Sequence, residues 1–153
     1  MSTTSTGYRD RYVGYLNRYS GNALPVMRIG LGAVIFFAGG HKLVAPDVWT
    51  KYAAPWVTGF WPESLLSFEL VMMASGGFEL LLGVALIAGF YTTVIAGITT
   101  LSLLAVVFDL ATGALLTGKF VDVLIRDIGL VALAVGVTLL SAQQSRSAAT
   151  RDR

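Results

Sequence analysis

Arg28, His41, Lys42, Glu79, Asp109, Arg126 and Asp127 lie within or at the ends of long apolar stretches of this sequence. A charge at the centre of a membrane span costs roughly 2.5–3.5 kcal/mol on insertion scales, so such residues need mutual pairing, water, protonation or a ligand. Their types suit proton exchange at the carboxyl groups and electrostatic stabilisation of negative charge by the lysine or arginines. Arg28, Gly32, Ile35, Gly39 and Lys42 share one face at about 100° per residue. Glu69, Met72, Gly76, Glu79 and Gly83 repeat that pattern, as do Thr92, Thr99, Ser102 and Asp109. Asp122, Arg126, Gly129, Leu133 and Gly136 form a fourth stripe, with Asp127 one residue round. Gly32/Gly39, Gly76/Gly83 and Gly129/Gly136 are each two helical turns apart, and small residues permit the close approach that drives helix association in lipid. The four stripes are therefore expected to converge on the interior of an all-α, four-span bundle.

Composition sets the medium. The chain has 153 residues, 55% hydrophobic and only 13% charged, against about a quarter charged in a soluble domain. A net charge of +2 with no basic block gives no sign of nucleic-acid binding. Cysteine is absent, which removes disulfides, thiolate nucleophiles and cysteine-ligated iron–sulfur clusters. A single histidine argues against a bis-histidine haem or an all-protein zinc site, so no metal is expected.

The elements that must position the stripes are four apolar runs, about 24–43, 65–90, 91–116 and 121–142. Each approaches or exceeds the ~20 residues that cross ~30 Å of hydrocarbon. The second and third meet at Gly89-Phe90-Tyr91-Thr92, a turn almost without linker. Residues 1–22 read as a polar tail followed by an interfacial helix: Tyr8, Tyr12, Tyr15 and Tyr19 form one helical stripe, with arginines elsewhere. Met1–Thr6 are expected to be disordered, as is a basic tail over 143–153. Arg9, Arg11 and Arg18 precede the first span and Arg146, Arg151 and Arg153 follow the last. The arginine excess predicts a cell-membrane protein with both termini cytoplasmic. Between spans 1 and 2 lie all three tryptophans. They form either an aromatic belt or a lid over an opening between the spans, with Pro55 interrupting any helix near Ala54.

Depth suggests partners. Glu79 lies about 13 Å from the cytoplasmic end of its span, within apparent reach of Arg28, so an Arg28–Glu79 pair is expected. Lys42, Asp109, Arg126 and Asp127 are expected together in the outer third, with His41 at the rim. Pairs that only lock the helices in register are the alternative to a ligand or proton site.

Arg28, Gly32, Phe36-Phe37, Gly39 and Lys42-Leu43, then Gly76-Gly77-x-Glu79-Leu80 with Gly83, then Arg126-Asp127, resemble the DoxX family of small four-span membrane proteins. The resemblance covers about 24–140. It implies the four-span fold and, because some members resemble the small membrane subunit of a thiosulfate:quinone oxidoreductase, a quinone-linked accessory subunit or partner of a membrane oxidoreductase. On that reading Lys42 or Arg126 would stabilise a quinone head group while Asp109 or Asp127 handled protons. Any redox role would rest on a bound quinone or a partner's cofactor, making the chain a subunit rather than a self-contained enzyme. Other members serve as assembly factors. A non-catalytic binder of lipid or small apolar molecules, or an assembly factor, stays open beside it, and so does a homo-oligomer.

Overall fold

The apolar runs become helices because only a helix satisfies every backbone polar group within one segment in lipid. The computed structural model, which describes residues 4–151, contains α1 (Thr4–Tyr19), α2 (Ala23–Val44), α3 (Pro46–Thr50), α4 (Pro55–Phe60), α5 (Phe68–Ala88), α6 (Thr92–Thr117) and α7 (Val121–Arg151). No strand occurs among the described residues. α2, α5, α6 and α7 are long and apolar enough to cross a membrane. The protein is an all-α, multi-pass membrane protein.

Two stretches differ from expectation. The segment read as a disordered tail from residue 143 is helical through Arg151, because Ala, Gln, Ser and Arg continue the ladder with no Gly or Pro to end it. Of Met1–Thr6, also expected to be disordered, Thr4–Thr6 belong to α1, whereas 1–3 lie outside the described residues, as do 152–153 at the other end.

The spans pack as two intimate pairs, α2 with α5 and α6 with α7, joined by lighter α2–α7 and α5–α6 contacts. Glycine sets the first pair. A Cβ on Gly39 would lie 2.6 Å from the Gly76 carbonyl oxygen, one on Gly76 2.7 Å from that of Gly39, and one on Gly83 2.7 Å from the Phe36 nitrogen. The Gly32–Gly83 and Gly39–Gly76 contacts are two turns apart along both antiparallel helices, so they specify a single register. Gly136 is looser, its added Cβ meeting only the Met27 methyl at 3.3 Å, and Gly129 faces open space. The Gly129/Gly136 pair therefore does not repeat the close contact that the stripe pattern predicted for it. Its face of α7 has no helix backbone opposite.

Packing differs along the bundle. In the half nearest the termini, Leu24, Leu31, Ile35, Leu82, Leu86, Ala96, Leu103, Ala134 and Val137 make a buried core from all four spans. In the opposite half the two pairs separate. At the base α5 ends on Gly89, whose φ of +80° suits glycine, and Phe90 N–H closes back on the Ala85 carbonyl at 2.9 Å. Arg28 Nη1 donates to the Leu86 carbonyl at 2.7 Å, placing a cation at the negative end of the helix dipole.

Gly39→Ala should lower the thermal stability of detergent-solubilised protein by about 1–3 kcal/mol, the usual cost of overpacking, whereas Gly129→Ala should leave it unchanged or raise it. Equal melting temperatures for the two variants would contradict the assigned register.

Candidate functional site: a cleft between the helix pairs

Where the pairs separate, a cleft of about 500 Å³ opens, lined by residues from all four spans and from the loop between α2 and α5. Its ionisable groups are Lys42 of α2, Glu79 of α5, Asp109 of α6, and Arg126 and Asp127 of α7. The sequence placed four of these together and assigned Glu79 to the other end. Around them the wall is apolar and aromatic, with Phe68, Val71, Met72, Val106 and Phe108. Pockets of a few hundred Å³ with an apolar lining and a few convergent polar groups are the usual form of small-molecule sites.

Glu79 pairs with Lys42, not with Arg28. The Lys42 ammonium donates to Glu79 Oε1, and both side chains are largely buried. The glycine register explains the exchange, because it sets the Lys42 Cβ against Gly76, one turn from Glu79. Helical side chains lean toward their own N-terminus. In antiparallel helices Lys42 therefore leans down toward Glu79, and Glu79 leans up toward Lys42. Arg28, lower on the same helix, also leans down, which carries it away from Glu79 and toward the end of α5, where it meets Leu86. The Arg28–Glu79 pairing expected from sequence fails on side-chain direction. Glu79 Oε2 is buried and has no hydrogen-bond partner among the described residues, a state that costs about 1–3 kcal/mol or more if left dry.

Arg126 engages Asp127 through Nε at 2.8 Å. Asp127 is buried while more than half of the arginine side chain is exposed. Asp109 has a different partner. Both its carboxylate oxygens accept from the Ala54 backbone N–H, at 3.2 and 3.3 Å. Pro55 creates that donor by holding the residue before it extended, with Ala54 at ψ 147°. Ala54 itself is fully buried. Asp109 and Pro55 stand far apart in the sequence, and the pre-proline geometry is the one sequence signal that links them.

The same loop roofs the cleft. Trp49, Tyr52, Trp56 and Trp61 all line it. The Trp56 indole donates to Thr112 Oγ1 at 2.9 Å, a second attachment to α6. Trp49 donates to His41 Nδ1 at 2.8 Å and presents its ring to the Lys42 ammonium, 4.8 Å from the ring centroid. His41 stands exposed at the rim, outside the cleft lining. Glu69 and Asp122, at the ends of their stripes, are also exposed.

With the geometry in place, comparison supplies the family. The sequence model of the DoxX family matches residues 23–112, more than half of the chain. The chain belongs to the DoxX family. The match spans α2 to most of α6, and so takes in Lys42, Glu79, Asp109 and the aromatic roof of this DoxX protein. Arg126 and Asp127 lie beyond it. Neither the curated proteins nor the solved structures yield a match.

Two expectations follow for this DoxX bundle. Lys42→Met should destabilise it by about 3–5 kcal/mol by stranding a buried carboxylate, and Glu79→Gln added to it should restore most of the loss. A double variant as unstable as the single would refute the pair. Asp109→Ala should free the roof: because all three tryptophans lie in it, their emission should shift to the red and iodide quenching should rise, with helicity unchanged. Unaltered emission would show that Asp109 does not hold the loop.

Proposed function

We propose that this DoxX protein is a quinone-binding accessory subunit or partner of a membrane oxidoreductase, and that the cleft under the aromatic roof takes the quinone head group. The observation carrying the reading is the lining itself: an aromatic and apolar slot within the membrane part, crossed by two cations and three carboxyl groups from four helices. A quinone head is planar, uncharged and apolar on its faces, with two opposed oxygens. The slot matches each property. Tryptophan, tyrosine and phenylalanine rings offer faces and edges for stacking. Arg126 spends only Nε on Asp127 among the described residues, leaving its terminal nitrogens to donate to a quinone oxygen. The partnerless Glu79 Oε2 suits a quinol hydroxyl, which donates.

The bound quinone would supply the two-electron, two-proton redox couple, and the partner's cofactor would exchange the electrons. The chain's own residues bind, orient and exchange protons. Arg126, through the nitrogens it does not spend on Asp127, favours the ring oxygen as negative charge builds on it, beside the Lys42–Glu79 pair. Asp109 and Asp127 stand as the proton-exchanging carboxyls on the side of α6 and α7. The roof excludes water from the ring.

Charge favours this over an anionic lipid as the cleft's occupant. Three carboxyl groups share the cleft with two cations, and Lys42 is already committed to Glu79. A phosphate would meet surplus acid, whereas a neutral head group does not. The arginines flanking the bundle support an orientation with both termini in the cytoplasm of the cell membrane, which places the cleft in the outer half.

Titration of detergent-solubilised protein with a decyl-substituted benzoquinone should quench the roof tryptophans saturably. Arg126→Ala should weaken the apparent affinity at least tenfold, the loss of about 1.4 kcal/mol or more that a charged hydrogen bond represents. Linear, non-saturating quenching in the unaltered protein, together with no quinone in gentle detergent extracts, would overturn the assignment.

A further inference from the structure

One element takes no part in the bundle. Among the described residues the one substantial contact of α1 is with the 3-10 turn Ser20–Asn22 that follows it, and it packs extensively against none of the spans. Its tyrosines are nevertheless on one face: Tyr8, Tyr12, Tyr15 and Tyr19 fall within about 60° of one another at 100° per residue. All four are more than half exposed. Arg9 flanks this stripe on one side, Arg11 and Arg18 on the other, while Asp10, Gly14 and Asn17 occupy the far face. An aromatic stripe between two rows of arginine, with a small polar back, is the pattern of a helix lying in a headgroup layer.

Length requires the chain to resolve this. The helical stretch from Gly7 to Val44 has 38 residues, about 57 Å at helix rise, against about 40–45 Å for a whole bilayer with its headgroups. Continued along the axis of α2, α1 would hold four tyrosines in open water. The 3-10 turn supplies a place to bend. Tyr19 and Asn22 sit at φ −103°, ψ −5° and φ −92°, ψ −2°, off the ideal α-helical values, and neither side chain makes a capping hydrogen bond.

Charge names the surface. Beyond the apolar runs on the terminal side of the bundle, Arg9, Arg11, Arg18, Arg146 and Arg151 are opposed among the described residues by Asp10 alone. On the other side Lys51 and Lys119 face Asp47, Glu63, Glu69 and Asp122. We infer that α1 is a membrane-surface helix that beds its tyrosine stripe into an anionic lipid headgroup layer, turning at Ser20–Asn22, with its arginines on lipid phosphates. Each arginine near such a surface contributes about 1 kcal/mol, roughly a fivefold change in partitioning, and the far arginines of α7 reinforce the same leaflet. The inference is independent of what fills the cleft.

The chain has no cysteine, so single spin labels report cleanly. Full-length protein carrying Tyr15→Cys or Asn17→Cys is labelled and placed in nanodiscs of phosphatidylcholine with or without phosphatidylglycerol. In discs containing phosphatidylglycerol, the label at position 15 should collide with oxygen and be several-fold less accessible to an aqueous nickel chelate than the label at 17. Changing Arg9, Arg11 and Arg18 to Gln, or removing phosphatidylglycerol, should shrink that contrast. Tyr12→Cys, which keeps Tyr15, should behave like the position-15 variant. Equal aqueous access at 15 and 17 in anionic discs would overturn the inference. So would a protected stripe whose labels show short distances between copies regardless of lipid, since α1 would then be covered by a second copy of the chain.

Discussion

Backbone contact between α2 and α5 is the constraint from which the site follows. Gly32 and Gly39 meet Gly83 and Gly76 so closely that no side chain fits between them. Lipid offers no hydrophobic drive for helix association, so the pair is held by packing of bare backbone over two turns. That contact allows one register, and the register sets Lys42 one turn from Glu79 with the two side chains leaning toward each other. Two charges that would each be costly alone inside a span become one buried pair. The same geometry turns Arg28 away, to the carbonyl end of α5.

From that fixed pair the remainder of the molecule divides into a solid half and a hollow half. Near the termini, leucines, alanines and a valine from four spans fill the interior. Toward the other face the α6–α7 pair diverges from α2–α5, and side chains no longer span the gap. The connecting loop closes it instead, anchored by the Ala54 N–H on Asp109 and by Trp56 on Thr112. A buried backbone donor must find an acceptor, so Asp109 serves the roof as well as the cleft. The hollow half thus gathers aromatic faces, two cations and three carboxyl groups in one space, a lining suited to an uncharged ring with polar edges.

Much of this was legible in the sequence. The apolar runs 24–43, 65–90 and 91–116 end within three residues of α2, α5 and α6, whereas α7 continues well past the expected end at 142; the bilayer imposes a length that soluble folds do not. The i, i+3, i+4 stripes picked out Lys42, Glu79 and Asp109, and four of the five charges that meet in the cleft were expected together; on α7, however, the stripe residues Asp122 and Gly129 are exposed, and the buried charge is Asp127, one residue round. What failed was pairing. Depth along a helix locates a Cα but not the end of a long side chain, and the tilt of side chains toward the N-terminus is what gives Glu79 to Lys42 instead of Arg28. The equivalence of the three glycine pairs also failed, since periodicity shows which face a glycine occupies but not whether another backbone lies opposite, as at Gly129. The Ala54–Asp109 contact joins residues 55 positions apart through a backbone group, and side-chain patterns carry no trace of it. At the end of α7 polarity alone suggests disorder, but the run lacks Gly or Pro and the helix continues through Arg151.

Photoaffinity labelling with an azido-benzoquinone tests the central claim most directly, because it reports where a head group sits without relying on turnover or on a partner. The account predicts that label is recovered on peptides containing Trp49–Trp61, Ser102–Asp109 and Val123–Asp127, and that excess unlabelled quinone removes it. Label confined to lipid-facing positions such as Phe37, Leu81 and Leu101, or label that excess quinone does not displace, would contradict it.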